Sequence, residues 1–233
     1  IYKEVPTEIE VRRLDISISA SGTEAFFVGP TSLRRDFYQA RWPEVSNLFF
    51  SDKHFASVSN YSRWMLTPGL YRAFLGYEFI IICQTDAILT RAIPHSEIQS
   101  MPWDYIGAPW MPGFRFSWNP LTGELRRNAW KLTERRLYVG NGGLSLRRTA
   151  AFSRATRWLR LFWGANEDIT VSYFGRETGI RVAPPEVASR FFMEKGALDW
   201  KLGLPLPGVF GYHGLDKQNP VLEAEVMEAF SAG

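Results

Sequence analysis

Apolar and polar residues alternate along the chain in blocks that predict short helices and strands. From Pro6 to Ser19, Ile9, Val11, Leu14, Ile16 and Ile18 are interleaved with charges. Thr7 followed by Glu10 has capping-box spacing, which predicts a helix from about Glu8 onward. Glu24 to Pro30 reads as a short strand closed by Gly29-Pro30, and Val45 to Phe50 as a second strand ending at Ser51-Asp52-Lys53. Ser59 to Phe74 is aromatic-rich and helical, interrupted at Thr67-Pro68-Gly69 because proline breaks the backbone ladder. The strongest signal is Phe79-Ile80-Ile81-Ile82, continued by Cys83. Such a run predicts a strand buried on both faces, typical of a parallel sheet covered by helices. It stops at Gln84-Thr85-Asp86, which puts a carboxylate at the strand's C-terminal end, where open α/β sheets bind ligands. Asp86 is well placed there for a cation or a sugar hydroxyl; capping the next turn is the simpler role.

Trp103 to Ile106 reads as a short strand running into a Gly107-Ala108-Pro109 turn. Residues 111–137 carry no clean period, so they read as an irregular insertion, the kind of long loop that is usually functional. Tyr138 to Arg148 contains Gly140, Gly142 and Gly143, which let backbone approach a ligand or turn sharply. Helical spacing resumes from Thr149 to Phe162. A second acidic stop, Asn166-Glu167-Asp168, opens another helix through Ile169, Val171 and Phe174. Ile180 to Pro184 is a further short strand, and Val221 to Phe230 a terminal helix. The 233 residues suit a single α/β domain. A chain that starts at Ile1 without a methionine reads as trimmed at its beginning.

The net charge of +3 is mildly basic, with arginine pairs at Arg126-Arg127, Arg135-Arg136 and Arg147-Arg148. These could attract phosphate or simply form a solvated face. No nucleic-acid signature accompanies them, so a nucleic-acid partner is not expected. The single cysteine, Cys83, cannot form an intrachain disulfide, which fits a reducing compartment. No run reaches transmembrane length. A cytoplasmic protein, free or peripheral to a membrane, is the expectation.

Chemistry-bearing motifs narrow the choice by elimination. There is no GxGxxG after the first strand, no GxxxxGK[ST], no HExxH, no Cys/His cluster and no GxSxG elbow. Short strands alternating with helices and ending in acidic or glycine-rich stops point to an α/β sandwich with its site at the strand ends. Carboxylates, glycine-rich backbone and aromatics remain, a set suited to sugar chemistry.

Five ordered motifs carry a resemblance: Gln84-Thr85-Asp86-Ala87; Asp104-Tyr105-Ile106-Gly107-Ala108-Pro109-Trp110; Val139 to Arg147; Asn166-Glu167-Asp168; and Phe210-Gly211-Tyr212-His213. Together they closely resemble a glycosyltransferase-like family that carries a "domain of unknown function" label. More distantly they resemble GT-A-fold transferases that use nucleotide-sugar donors. The resemblance implies a GT-A-like (Rossmann-like) α/β/α sandwich with a mostly parallel central sheet. It implies transfer of a sugar from a nucleotide donor, a UDP-sugar above all, to a hydroxyl of a glycan or other acceptor, with inversion.

By the same resemblance, Asp86 stands at the last acid of the D-x-D metal motif, while Gln84 replaces the first. Mn2+ or Mg2+ would then be held by Asp86 with His213. Tyr2, Lys3, Gln84, Thr85, Asp86, Gly140, Asn141, Gly142 and Gly143 fall at donor-binding positions. Asp168 is expected as the base that deprotonates the acceptor, and Glu167 as a ligand to sugar hydroxyls, with the swap open. Trp110, Trp118 and Trp130 are candidates to stack on acceptor sugars, and residues 111–137 form the acceptor side. The rival reading is a non-catalytic nucleotide- or sugar-binding module on the same scaffold. A metal-assisted phosphoryl or nucleotidyl transferase would want more clustered acids.

Overall fold

The computed structural model describes residues 5–129, 131–162, 165–194, 209–217 and 219–231. Helix α1 (Glu8–Ser21) starts with the expected box: Glu10 Oε2 accepts from the Thr7 backbone N–H at 2.8 Å, and the Thr7 hydroxyl accepts from the Glu10 N–H at 3.4 Å. It ends at Gly22, whose φ of 61° suits glycine. Strand β1 (Phe26–Pro30), helix α2 (Arg35–Arg41) and strand β2 (Ser46–Phe50) follow, and β1 pairs with β2 in parallel. Ser57 caps α3 (Val58–Met65), and Pro68 opens α4 (Pro68–Ala73) at a helix's first turn, where its missing N–H costs nothing. Strands β3 (Phe79–Cys83) and β4 (Ala87–Leu89), helix α5 (His95–Gln99) and the long strand β5 (Tyr105–Trp118) come next. They lead into β6 (Leu125–Arg127) and β7 (Arg135–Arg148), then α6 (Thr149–Leu159) and α7 (Glu167–Thr178). Helix α8 (Pro185–Phe191), strands β8 (Phe192–Met193) and β9 (Gly211–His213) and helix α9 (Pro220–Ser231) complete the described chain.

The main sheet has four strands in the order β3-β7-β5-β6, all antiparallel neighbours. Side chains alternate across it, as the two-residue period of a strand requires. Tyr105, Phe116 and Leu137 face a core built with α3, α4, α6 and α7. Ile106, Ala108, Val139, Leu144 and Leu146 face a second core with α8, β4 and Phe210. Along β3, Ile80 and Ile82 pack on the first core and Phe79, Ile81 and Cys83 on the second. The two-sided covering expected from the apolar run is therefore present, but its parallel pairing is not. Burial on both faces fixes what covers a strand and leaves its neighbour's direction open. The sheets are mixed and small: an antiparallel one, the parallel β1-β2 pair, and the mixed β4-β9-β8 sheet.

Two further expectations are corrected. Gly107-Ala108-Pro109 is not a turn but the middle of β5, and residues 111–137 are not irregular. They hold the end of β5, all of β6, a single 3-10 turn at Lys131–Thr133 and the start of β7. Phe114, Phe116 and Trp118 alternate with Arg115 and Ser117 and pack on one core, a short two-residue period masked in the sequence by Pro109, Pro112 and Gly113 before it. The predicted strand at Ile180 to Pro184 is reduced to a bridge between Val182 and Tyr105.

Candidate functional site

The site is organised by a bulge in β7. Ser145 pairs with Gly107 and Asn141 with the very next residue, Ala108, so Gly142, Gly143 and Leu144 have no partner on β5. Such an insertion re-aims backbone locally and is frequent beside functional sites. Every polar group of the two glycines finds a protein partner, as buried backbone must. The Gly143 N–H donates to Asn141 Oδ1 at 2.8 Å, and so does that of Leu144 at 3.1 Å. The Gly142 carbonyl accepts from Ser145 Oγ and from Arg147 Nη2, at 3.2 and 3.1 Å. The Gly143 carbonyl accepts from the Gln84 N–H at 2.8 Å, and the Gly142 N–H reaches Asp168 Oδ2 at 3.4 Å.

Three distant stretches thus meet at two residues: the end of β3, the bulge of β7 and the start of α7. Glycine is required at both positions by close approach. A Cβ on Gly142 would lie 2.1 Å from Glu167 Oε1, and one on Gly143 would lie 2.6 Å from both Gln84 Oε1 and His213 Nε2.

The turn after β3 is pinned from α1 and β9. Thr85 donates its hydroxyl to Glu10 Oε1 at 3.1 Å, Arg13 Nη1 donates to the Thr85 carbonyl at 3.2 Å, and the Gly214 N–H donates to the Asp86 carbonyl at 2.8 Å. Asp86 Oδ1 stands 3.4 Å from His213 Nε2, and its other oxygen 3.3 Å from Lys217 Nζ. The His213 hydrogen bond, outweighing partial burial and helped by the two cations, holds the Asp86 carboxyl well below the usual range. On its far side His213 Nδ1 lies 3.0 Å from Asn141 Nδ2 and 3.5 Å from Glu194 Oε1. Burial alone would depress the imidazole, but the Asp86 and Glu194 carboxylates outweigh it and raise its pKa to about 9.

At the start of α7, Glu167 and Asp168 lie in the first turn, where the helix dipole favours negative charge. They take different roles. Glu167 is buried; Ser62 Oγ donates to its Oε2 at 3.2 Å and the fully buried Arg147 guanidinium lies 3.4 Å from its Oε1. Asp168 keeps part of its surface open and accepts from the Ile169 N–H at 2.7 Å. Loss of hydration, then the neighbouring Glu167 charge, pushes its pKa up to about 8 against the pull of Arg147 and two backbone N–H groups.

Gln84, Thr85, Asp86, Asn141, Gly142, Gly143, Glu167, Asp168 and His213 are therefore brought together. Gly140 joins them at one margin, where the Trp110 ring lies 2.5 Å from the place a Cβ would occupy. Trp118 sits elsewhere, packed edge-on against Phe162 and Phe174 at 5.8 and 5.5 Å. Tyr2, Lys3 and Trp130 lie outside the described residues. Glu194, Lys217, Arg147, Ser62 and Tyr61 complete the cluster and escaped the sequence reading as site residues. Tyr61, hydrogen-bonded to Gln84, is pushed up to about 12 by burial and then by the Glu167 charge. Of the arginine pairs, Arg126, Arg135, Arg147 and Arg148 are ion-paired with carboxylates.

Among the described residues no group of three or more His, Cys, Asp or Glu side chains is placed to hold a metal. Asp86 Oδ1 and His213 Nε2 still have the 3.4 Å separation that two ligands of one small divalent ion can span. The donor set fits a two-ligand site that other oxygens must complete.

The sequence model of the family described as a protein of unknown function, DUF5672, matches residues 44–213. The chain belongs to this family. All the clustered residues except Lys217 fall within the matched span of this DUF5672 member. No curated protein sequence matches the chain. Its fold is similar to that of mouse xyloside xylosyltransferase 1 in its apo form, with a TM-score of 0.53 at 12% identity, covering 91% of this chain and 94% of that one. It is also similar to the apo structure of the bifunctional glycosyltransferase WbbM, with a TM-score of 0.51 at 14% identity. That match covers 88% of this chain but 43% of WbbM, so the chain spans under half of that protein. The fold is thus an α/β fold of the glycosyltransferase kind. Among the described residues no helix is long and apolar enough to cross a membrane.

Proposed function

We propose that this DUF5672 chain is a GT-A-like glycosyltransferase that moves a sugar from a nucleotide donor to an acceptor hydroxyl with inversion. The observation that carries the proposal is the convergence on Gly142 and Gly143. One side of the bulge meets Asp168, the other meets Gln84 and His213, and Asp86 stands behind His213.

An alcohol is a weak nucleophile, and a carboxylate within hydrogen-bond reach lowers the barrier by taking its proton as the bond to the anomeric carbon forms. Asp168 is the base: it keeps an open side and its pKa lies close to neutral pH. Glu167, fixed by Arg147 and Ser62, orients sugar hydroxyls and raises the basicity of its neighbour. Cationic His213 and Lys217 face the side where a departing diphosphate's charge must be met. Mn2+ or Mg2+ held by Asp86 and a deprotonated His213 would supply that neutralisation in place of the imidazolium charge. The family resemblance favours a UDP-sugar, and Trp110, beside Gly140, is the better placed aromatic for an acceptor ring.

Incubation with a panel of nucleotide sugars tests this: the wild-type chain is expected to release nucleotide from at least one donor, and Asp168→Asn to lose that turnover. Gln84 in place of an acid favours one rival, a binding module without catalysis. Nucleotide binding with no turnover of any donor would establish that rival instead.

A further inference from the structure

Helix α6 serves the core on one side only. Ala151, Phe152, Ala155, Thr156 and Leu159 are buried. Arg154, Arg157 and Trp158 lie on the opposite side at i, i+3 and i+4, and Arg160 and Leu161 follow in the 3-10 turn Arg160–Phe162 that continues the helix. All five are exposed, Trp158 to 62% and Leu161 to 61%. From Thr149 to Phe162 the sequence holds no aspartate or glutamate.

Several exposed arginines elsewhere are matched with carboxylates: Arg34 with Asp36, Arg41 with Asp15, Arg126 with Glu124, Arg135 with Glu177 and Arg181 with Asp104. Arg154, Arg157 and Arg160 have no ion-pair partner among the described residues. The strip therefore joins uncompensated positive charge to two large apolar side chains that the fold leaves in water.

We propose that this face of α6 docks on an anionic lipid surface. The charge pattern is complementary to acidic headgroups, which attract clustered arginines near a bilayer. Arginine stems lie along apolar surface while their guanidinium groups stay among the headgroups. Trp158 and Leu161 supply the apolar face that a polyanion alone would leave unused, and a tryptophan ring settles at the headgroup level. The arrangement is that of a short interfacial helix lying in the membrane plane. Because Leu161 shortly precedes Glu167 in the chain, docking would hold the α7 end of the site close to the lipid. The proposal stands whether or not the site transfers a sugar.

The test is co-sedimentation of the full chain with vesicles of phosphatidylcholine alone and of phosphatidylcholine mixed with phosphatidylserine, with heparin as a soluble polyanion. Binding is expected only with the mixed vesicles, weakening as salt is raised. The triple variant Arg154→Gln/Arg157→Gln/Arg160→Gln should bind at least about tenfold more weakly. Trp158→Ser, which keeps every charge, should also lose most of the binding. Circular dichroism should match wild type for both variants, since every changed side chain is exposed. Equal binding to the two vesicle types, no binding to either, or indifference to the triple variant overturns the proposal. So does heparin binding combined with indifference to Trp158→Ser, which would make the strip a polyanion or protein surface.

Discussion

Arg147 Nη2 lies 3.4 Å from Glu167 Oε1, and both side chains are buried. The guanidinium spreads its other hydrogen bonds over Tyr71, Ser145 and the Gly142 carbonyl, so one side chain supports both the bulge and the acid beside it. Breaking a buried pair from one side is far more damaging than the pair itself is stabilising, because a charge is left stranded. Arg147→Met is therefore expected to lose about 3–5 kcal/mol of unfolding free energy, read by chemical denaturation. Arg147→Lys should fall short of full recovery, since an ammonium cannot reproduce the planar fork.

On the proposed assignment, Asp168 sets the acid limb of activity. Burial, then the Glu167 charge, pushes its carboxyl up to about 8, so the proton-free base is the minor form at neutral pH. The turnover rate should rise with pH and level off above about 8. Asp168→Asn should lower kcat by about 10²–10⁴-fold while moving KM little. A variant that keeps the wild-type rate would remove Asp168 from the reaction.

Stability should fall in the alkaline direction. For His213 in chelator-treated protein, the folded pKa of about 9 lies above the ordinary 6.5. The folded chain then binds more protons than the unfolded chain between those values, so ∂ΔG/∂pH is negative there. The contribution is fully present below pH 6.5 and lost as pH passes 9. At about 1.4 kcal/mol for each pKa unit it is on the order of 3 kcal/mol. Asp168 has the same sign: its raised pKa lowers stability progressively from the ordinary carboxyl value of 3.8 up to about 8, where the loss is complete. A melting temperature that drops between pH 6.5 and 9, with a shallower drop in His213→Gln, is the expected result. A flat profile would contradict the His213 pairing with Asp86 and Glu194.

Gly142→Ala places a methyl 2.1 Å from Glu167 Oε1. Overpacking of that kind costs about 1–3 kcal/mol, and the forced shift of Glu167 should reduce turnover as well. Gly76→Ala, where nothing lies within 4 Å, is the control, expected to stay within about 0.5 kcal/mol of wild type. Denaturation midpoints and turnover measured on both variants check this.

The role of a metal is checked by calorimetry of nucleotide diphosphate binding with Mn2+ and with chelator. If Asp86 and His213 ligate an ion, Mn2+ should strengthen binding and Asp86→Ala should abolish the gain. If Lys217 alone meets the diphosphate, binding should ignore chelator and weaken in Lys217→Met.

What the sequence made legible was local. The Thr7–Glu10 box, the Pro68 break, the acidic start at Glu167 and the end of β3 at Gln84 each depend on neighbours within a few residues, and each falls where expected. Strand direction in the main sheet was not legible, because Phe79 to Cys83 reads alike beside parallel and antiparallel partners. The length of β5 was hidden for a related reason: Gly107 and Pro109 have turn chemistry, and only pairing with β7 overrides it. Among site residues, Asp86 and Asp168 announced themselves by ending or opening an element. Arg147 did not: in sequence it is half of a dibasic pair, and only its burial beside Glu167 reveals its role. Lys217 and Glu194 were invisible because each meets the site through a long-range contact to Asp86 or His213.

The bulge has one consequence for how any molecule could arrive. Its two amides are already engaged, so an incoming oxygen accepts a hydrogen bond there only by displacing a resident. The loosest resident is Asp168, at 3.4 Å from the Gly142 N–H, against 2.8 Å for the contacts at Gly143. Occupancy of the Gly142 N–H by an incoming oxygen would thus leave Asp168 held by the Ile169 N–H alone and free its Oδ2, the atom the proposed base would use.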